Sequence, residues 1–274
     1  MLPPEVLDRI LGCIIAYPTR EGKATLIACA LVATWWTGPS QRRLFSSVTL
    51  THRNYQRWMS GVVLSGSKAH LLGYVRSLEH VIIPDNGACY SMRSLQKESG
   101  EYLSALYNIR RLSLGGIKAE YIDEAEIHAC CSAFRETLTE LSLADFVTSF
   151  NTFATLVGYF PNVTSLQLSS ISLIPDDGPV PSFPRPLRGK IFISSTYTVP
   201  RDFIDRLAEL DVEYEAVEIE CRGGTKEAVD SVLQLSAGTV KYLKLGTLLR
   251  GEDPSMLCCC NSLLNHSHSR VDNR

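Results

Sequence analysis

Ile109-Arg-Arg-Leu112-Ser-Leu114, Leu138-Thr-Glu-Leu141-Ser-Leu143 and Val163-Thr-Ser-Leu166-Gln-Leu168 are three copies of one pattern, and they decide the fold. In each, two apolar residues flank one small or polar residue, the period-two signature of a strand with one buried face. Further copies stand at Lys190-Ile191-Phe192-Ile193, Tyr214-Glu-Ala-Val217-Glu-Ile219 and Val240-Lys-Tyr-Leu243-Lys-Leu245. Val75-Arg-Ser-Leu78 and Ser47-Val48-Thr49-Leu50 add earlier strands. The first apolar residue of each pair lies at 112, 141, 166, 191, 217 and 243, in steps of 29, 25, 25, 26 and 26 residues. So regular a step implies one structural unit used repeatedly.

The segments between the strands carry helical faces: Tyr102, Leu103, Leu106 and Ile109; Ile127, Cys130, Cys131, Phe134 and Leu138; Phe150, Phe153, Leu156, Val157 and Phe160. Phe203, Ile204, Leu207 and Leu210 form another, as do Ala228, Val229, Val232 and Leu233, and a helix-like run spans Tyr55 to Tyr74. Each unit therefore reads as a strand followed by a helix, and stacking buries the strand's apolar pair against helix faces. Leu112, Leu114, Leu141, Leu143, Leu166, Leu168, Leu243 and Leu245 are predicted to be core. Ser113, Ser142, Gln167, Phe192, Glu218 and Lys244 are predicted to line one exposed row. The proline-rich stretch from Ile174 to Pro186 cannot be a regular helix and reads as an extended loop.

The fold class is thus α/β with a parallel sheet. The step is similar to that of leucine-rich repeats, ~20–29 residues. That family usually has Asn or Cys three residues after the pair, where this chain has Ile117, Phe146, Ile171, Thr196, Arg222 and Leu248. The resemblance is therefore to irregular repeats, and it implies a solenoid over residues 47–250. Residues 251–274, with Cys258-Cys-Cys and His266-Ser-His268, break the period and are expected to be a disordered or aberrant tail.

Ahead of the repeats, Pro3 and Pro4 suit a helix start. Val6, Leu7, Ile10, Leu11 and Ile14 then fall at helical spacing. Ala24 to Trp36 is apolar nearly all round, which predicts a buried helix, and at 13 residues it is too short to span a bilayer. Gly38-Pro39 should stop that helix, leaving Gln41 to Phe45 as a third short helix or turn. Three short helices cannot bury all of these apolar residues among themselves, so the remainder is a partner surface.

With 45% hydrophobic and 20% charged residues, the 274-residue chain belongs to the globular class. A formal net charge of −2 argues against nucleic acid as a partner, because phosphate neutralisation needs a basic stripe. The nine cysteines, odd in number and several in apolar stretches, read as free buried thiols of a reducing compartment. The start of the chain lacks the basic and apolar regions of a signal peptide. Cytoplasm, nucleus or both is the expected location, without a membrane partner.

Chemistry-bearing clusters are few. Cys258, Cys259, Cys260, His266 and His268 lack the Cys-x₂₋₄-Cys spacing of a structural zinc site. His128 with Cys130-Cys131 lies among apolar neighbours, where buried cysteine is the ordinary reading. Asp123, Glu124 and Glu126 fit a helix start. Gly115-Gly116 and Gly223-Gly224 lack the spacing of nucleotide-binding loops. No catalytic residue, metal or cofactor is expected.

Leu2-Pro3-Pro4-Glu5-x-Leu7-x-x-Ile10, then Leu26 to Val32, Trp36 and Leu44-Phe45, resembles an F-box of the fungal type. The resemblance covers residues 1–46. It implies an adaptor-binding module that docks a Skp-type adaptor, and through it a cullin, by Leu2, Pro3, Pro4, Leu7, Ile10, Leu11, Leu31, Val32, Trp36 and Leu44. The rest of the chain would then hold an unknown protein substrate, for which Phe192, Glu218, Tyr242 and Lys244 are the candidate contacts, beside Tyr197 and the proline-rich loop. The protein would be the non-catalytic substrate receptor of an SCF-type ubiquitin ligase. The alternative is a repeat scaffold unrelated to ubiquitin, whose first helices only cap the array.

Overall fold

The structure, a computed structural model, describes residues 3–15, 20–51, 54, 57–63, 65–81, 103, 105–116, 118–119, 124–175, 187–195, 203, 206–207, 212–221 and 241–247. Its helices are α1 (Pro4–Ile15), α2 (Arg20–Val32), α3 (Thr34–Leu44), α4 (Glu124–Cys131) and α5 (Phe150–Gly158). Its strands are β1 (Ser47–Thr51), β2 (Ser77–Val81), β3 (Arg111–Gly115), β4 (Lys118–Ala119), β5 (Glu140–Ala144) and β6 (Val147–Ser149). They continue as β7 (Ser165–Ser169), β8 (Ser172–Ile174), β9 (Leu187–Ser195), β10 (Val212–Cys221) and β11 (Tyr242–Thr247). The chain is α/β: three helices precede an eight-stranded sheet ordered β1-β2-β3-β5-β7-β9-β10-β11, and a smaller sheet is ordered β4-β6-β8. Every pairing among them is parallel.

The register aligns the sequence pattern across the sheet. Val48, Leu78, Leu112, Leu141, Leu166, Ile191, Val217 and Leu243 share one row. The first seven are buried. Leu114, Leu143, Leu168 and Ile193 form the next inward row and are buried as well. Of the predicted core leucines, the side chains of Leu243 and Leu245 lie outside the described residues.

Against these rows pack Ile127, Cys130, Cys131 and Phe134 of the α4 segment, then Phe150, Phe153, Leu156 and Val157 of α5. Phe203 closes the layer, its ring centroid 5.3 Å from that of Phe153 and 6.1 Å from that of Phe150. Each such aromatic ring, fully removed from water, contributes about 1.5–3 kcal/mol. The apolar spacing read from the sequence for these helices corresponds to the buried face.

The unit is more than strand and helix. Gly116, Asp145 and Ser170, one after each of β3, β5 and β7, have φ of 71°, 49° and 53°. A left-handed residue turns the chain through a corner. The Gly116, Asp145 and Ser170 N–H groups still donate to the carbonyls of Ala144, Ser169 and Ser194, so the ladder is kept through the bend. Two residues later the chain enters β4, β6 and β8. The strand-then-helix expectation missed these strands because two or three residues are too short to show a period. At the corner Phe146 is fully buried and Ile171 packs on the core. Apolar contacts there do what a polar ladder would otherwise do.

The N-terminal expectations need four corrections. The apolar run from Ala24 is not buried: only Leu26 is, while Ile27, Leu31 and Val32 are exposed. That helix ends at Val32, and α3 begins at Thr34. Gly38-Pro39 does not stop a helix, since α3 runs through it. Proline removes one backbone hydrogen bond there, and Gly38 carries no Cβ, which relieves part of the clash that disfavours helix before proline. Cys13 is exposed and Cys29 half-buried, so only Cys130 and Cys131 among the described cysteines are buried thiols. Further on, the run from Tyr55 to Tyr74 is broken: a short wide-turn helix spans Met59–Val63 and a tight 3₁₀ helix spans Gly66–Tyr74.

Candidate functional site

Two surfaces are candidates, one on the N-terminal helices and one on the outer face of the large sheet.

The three helices close around Leu7, Leu11 and Leu26, with Ile14, Cys29, Trp35, Trp36 and Leu44 packed against them. Arg43 fastens α3 to α1, its guanidinium 3.5 Å from the Asp8 carboxylate and donating to the Asp8 carbonyl at 3.3 Å. This small core uses the stripe 7, 11, 14 of α1 and leaves the adjacent stripe Val6, Ile10, Cys13 in solvent. On α2, Ile27 and Leu31, one turn apart, are exposed, Leu31 at 83% and its neighbour Val32 at 73%.

The residues foreseen for adaptor docking therefore divide. Pro3, Ile10, Leu31 and Val32 are exposed. Leu7 and Leu11 are not surface residues: they are buried inside the module and hold its helices together. Trp36 and Leu44 are half-buried against the same core. Leu2 and the side chain of Pro4 lie outside the described residues. Val6 and Ile27 were missed for this role. The signal was available for Val6, which neighbours the inward stripe, but the choice between two adjacent stripes depends on where α3 packs.

Between this module and the sheet there are only Phe45 and Ser46. The Phe45 ring lies 6.1 Å from Trp58, and the Arg42 guanidinium sits 5.9 Å above the Tyr74 ring.

On the outer face, Thr49, Glu79, Ser113, Ser142, Gln167, Phe192, Glu218 and Lys244 form one row across all eight strands. Its last six members are the row expected from alternation. Ser113, Ser142, Phe192 and Glu218 are half-buried, Gln167 and Lys244 exposed. The neighbouring row brings Arg111, Glu140, Ser165, Lys190, Ala216 and Tyr242 together.

Charge on this face is largely paired across strands. Arg111 Nε lies 2.6 Å from Glu140 Oε2, a hydrogen bond that raises the guanidinium's pKa, with burial partly opposing it and the carboxylate's charge adding a smaller rise. Lys244 bonds Glu218, Arg188 bonds Glu213 at 2.8 Å and Lys241 bonds Glu215 at 3.4 Å. Thr49 donates to Glu79 at 2.9 Å.

The chain matches no protein-family model, and no curated protein resembles it closely enough to count as a relative.

The four foreseen target contacts cluster on β9, β10 and β11, where the middle strands β3, β5 and β7 offer Ser113, Ser142, Gly115, Ala144 and Ser169. Phe192 and Glu218 are adjacent in register, as are Glu218 and Lys244, and Tyr242 stands exposed two residues before Lys244. Tyr197 and most of the proline-rich stretch lie outside the described residues, as do Cys258 to Cys260, His266 and His268. Burial drives the Cys131 thiol well above its ordinary pKa, with the Cys130 charge adding to it, so it is a poor nucleophile. Among the described residues no three His, Cys, Asp or Glu side chains are grouped to hold a metal ion, and no helix is long and apolar enough to cross a membrane.

Proposed function

We propose that this protein is the substrate receptor of an SCF-type ubiquitin ligase. Residues 1–46 act as the F-box, docking a Skp-type adaptor, and residues 47–250 act as an irregular leucine-rich-repeat solenoid that presents a target protein. The observation that carries the reading is the exposure of Val6, Ile10, Ile27, Leu31 and Val32, five of the seven large hydrophobics exposed among the described residues, on a module whose buried apolar core is Leu7, Leu11 and Leu26. Large apolar side chains left in water on so small a module mark a protein interface. An ordinary interface buries ~1,600 Å² in total, and its central apolar anchors can each be worth about 2 kcal/mol.

The target is held on the late strands, at Phe192, Glu218, Tyr242 and Lys244. Aromatic side chains supply much of the energy at interfaces, and the middle strands offer mostly serine, glycine and alanine. The receptor contributes proximity and orientation, while ubiquitin transfer belongs to other subunits. It works inside the cell, in cytoplasm, nucleus or both, and itself uses no cofactor.

The test is capture of a Skp-type adaptor by the full chain, compared with Ile10→Asp/Leu31→Asp. The variant should lose capture and keep its circular dichroism. Equal capture by both, or none by either, would leave the chain as a repeat scaffold unconnected with ubiquitin.

A further inference from the structure

The first strand of a sheet presents unpaired backbone groups to any strand that can reach them. In β1 the ladder to β2 uses the even positions: the Ser46 carbonyl accepts from Ser77 N–H, so Thr49 C=O and Thr51 N–H point to the open side. Both are occupied. Asn54 Nδ2 donates to the Thr49 carbonyl at 2.9 Å, and Asn54 Oδ1 accepts from Thr51 N–H at 2.8 Å.

This pairing has a specific meaning. In a parallel ladder, a residue opposite position i donates its N–H to the carbonyl of i−1 and accepts from the N–H of i+1. With Leu50 as position i, the Asn54 side-chain amide makes both of those bonds. A primary amide presents its carbonyl oxygen and one N–H on the same side, as a strand residue presents its own N–H and C=O to one neighbour. Asn54 is therefore a one-residue replica of a further parallel strand.

We infer that Asn54 is an edge guard that closes the β1 side of the sheet against strand addition by a second copy of this chain. The matching edge among the described residues is β11: Glu215 O accepts from Lys241 N–H, so the odd positions of β10 face β11, Tyr242, Lys244 and Gly246 turn their backbone groups toward β10, and Leu243 and Leu245 turn theirs outward. β11 of one copy set beside β1 of another would continue the sheet in parallel. Such a head-to-tail contact does not close on itself and would propagate.

The experiment compares the oligomeric state of the full chain with Asn54→Ala and Asn54→Ala/Thr49→Pro by analytical ultracentrifugation over a concentration series. Asn54→Ala should associate with rising concentration. Thr49→Pro removes an outward N–H that the β2 ladder does not use, so the double variant should return to the state of the unaltered chain. Association unchanged in Asn54→Ala, or not reversed by Thr49→Pro, overturns the inference. If Asn54→Ala does not fold, amide exchange of the unaltered chain decides. Thr51 N–H slower than an unbonded amide by about tenfold supports the guard, and exchange at the unbonded rate overturns it.

Discussion

Gly189 lies directly on the backbone of Thr164: a Cβ at that position would stand 2.1 Å from the Thr164 carbonyl oxygen, and the glycine's φ is +100°. The same carbonyl accepts from Lys190 N–H at 2.8 Å, so this close approach is how β9 enters the sheet beside β7. Gly189→Ala combines a disfavoured backbone region with overlap onto backbone that cannot move aside. It should lose more than about 2 kcal/mol, read as a shift of the denaturant midpoint. Gly66→Ala, with no atom within 4 Å of its Cβ, should lose nothing.

Leu166 and Gln167 are neighbours on β7 that face opposite ways, one buried and one exposed. Leu166→Ala should cost about 2–5 kcal/mol as a core truncation. Gln167→Ala should stay within about 0.5 kcal/mol. Equal losses in melting temperature would mean that the strand register is wrong.

Within the N-terminal helices the same contrast separates support from contact. Leu11 is fully buried and Leu31 almost wholly exposed. Leu11→Ala should destabilise by about 2–5 kcal/mol, whereas Leu31→Ala should leave thermal unfolding unchanged and weaken adaptor capture. A loss of stability from Leu31→Ala would show α2 to be covered by the chain itself.

Ser149 caps α5, its hydroxyl accepting from Thr152 N–H at 3.2 Å. Both residues are buried, which removes water as a substitute partner. Ser149→Ala should cost about 0.5–2 kcal/mol in urea unfolding, and Ser149→Asn should recover part of it.

Tyr214 is buried on β10, and its hydroxyl has no hydrogen-bond partner among the described residues. Burial raises the phenol's pKa well above its ordinary value. The unfolded chain can ionise this group from about pH 10 upward while the folded chain cannot. Above that pH the unfolded state therefore binds fewer protons, and stability falls as pH rises. Tyr214→Phe should be neutral or stabilising at pH 7, because it removes an unsatisfied hydroxyl. It should also flatten the alkaline decline in melting temperature, and a steeper decline in the variant would refute this account.

Pairing Leu112, Leu141, Leu166 and Ile191 into one row required only the apolar alternation and its near-constant step. Strands have period two, and a shift by one residue would put every leucine in water. The exposed row from Ser113 to Lys244 follows from the same rule, as do the buried faces of α4 and α5 from helical spacing. Other features depended on packing. Asp145 and Ser170 carry no mark in the sequence of their left-handed backbone, and the short strands behind them are held by neighbouring units rather than by their own residues. Whether Leu7 or Val6 faces inward, and whether Leu31 sits in a core or in water, depends on where α3 crosses α1 and α2. That crossing exists because Gly38-Pro39 stays helical, where local preference favoured a stop. The Asn54 bonds to Thr49 and Thr51 belong to tertiary structure as well: an asparagine three residues past a strand reads as a turn until the strand is known to be the sheet's edge. Periodicity is a property of each segment alone, whereas exposure is a property of what lies across from it.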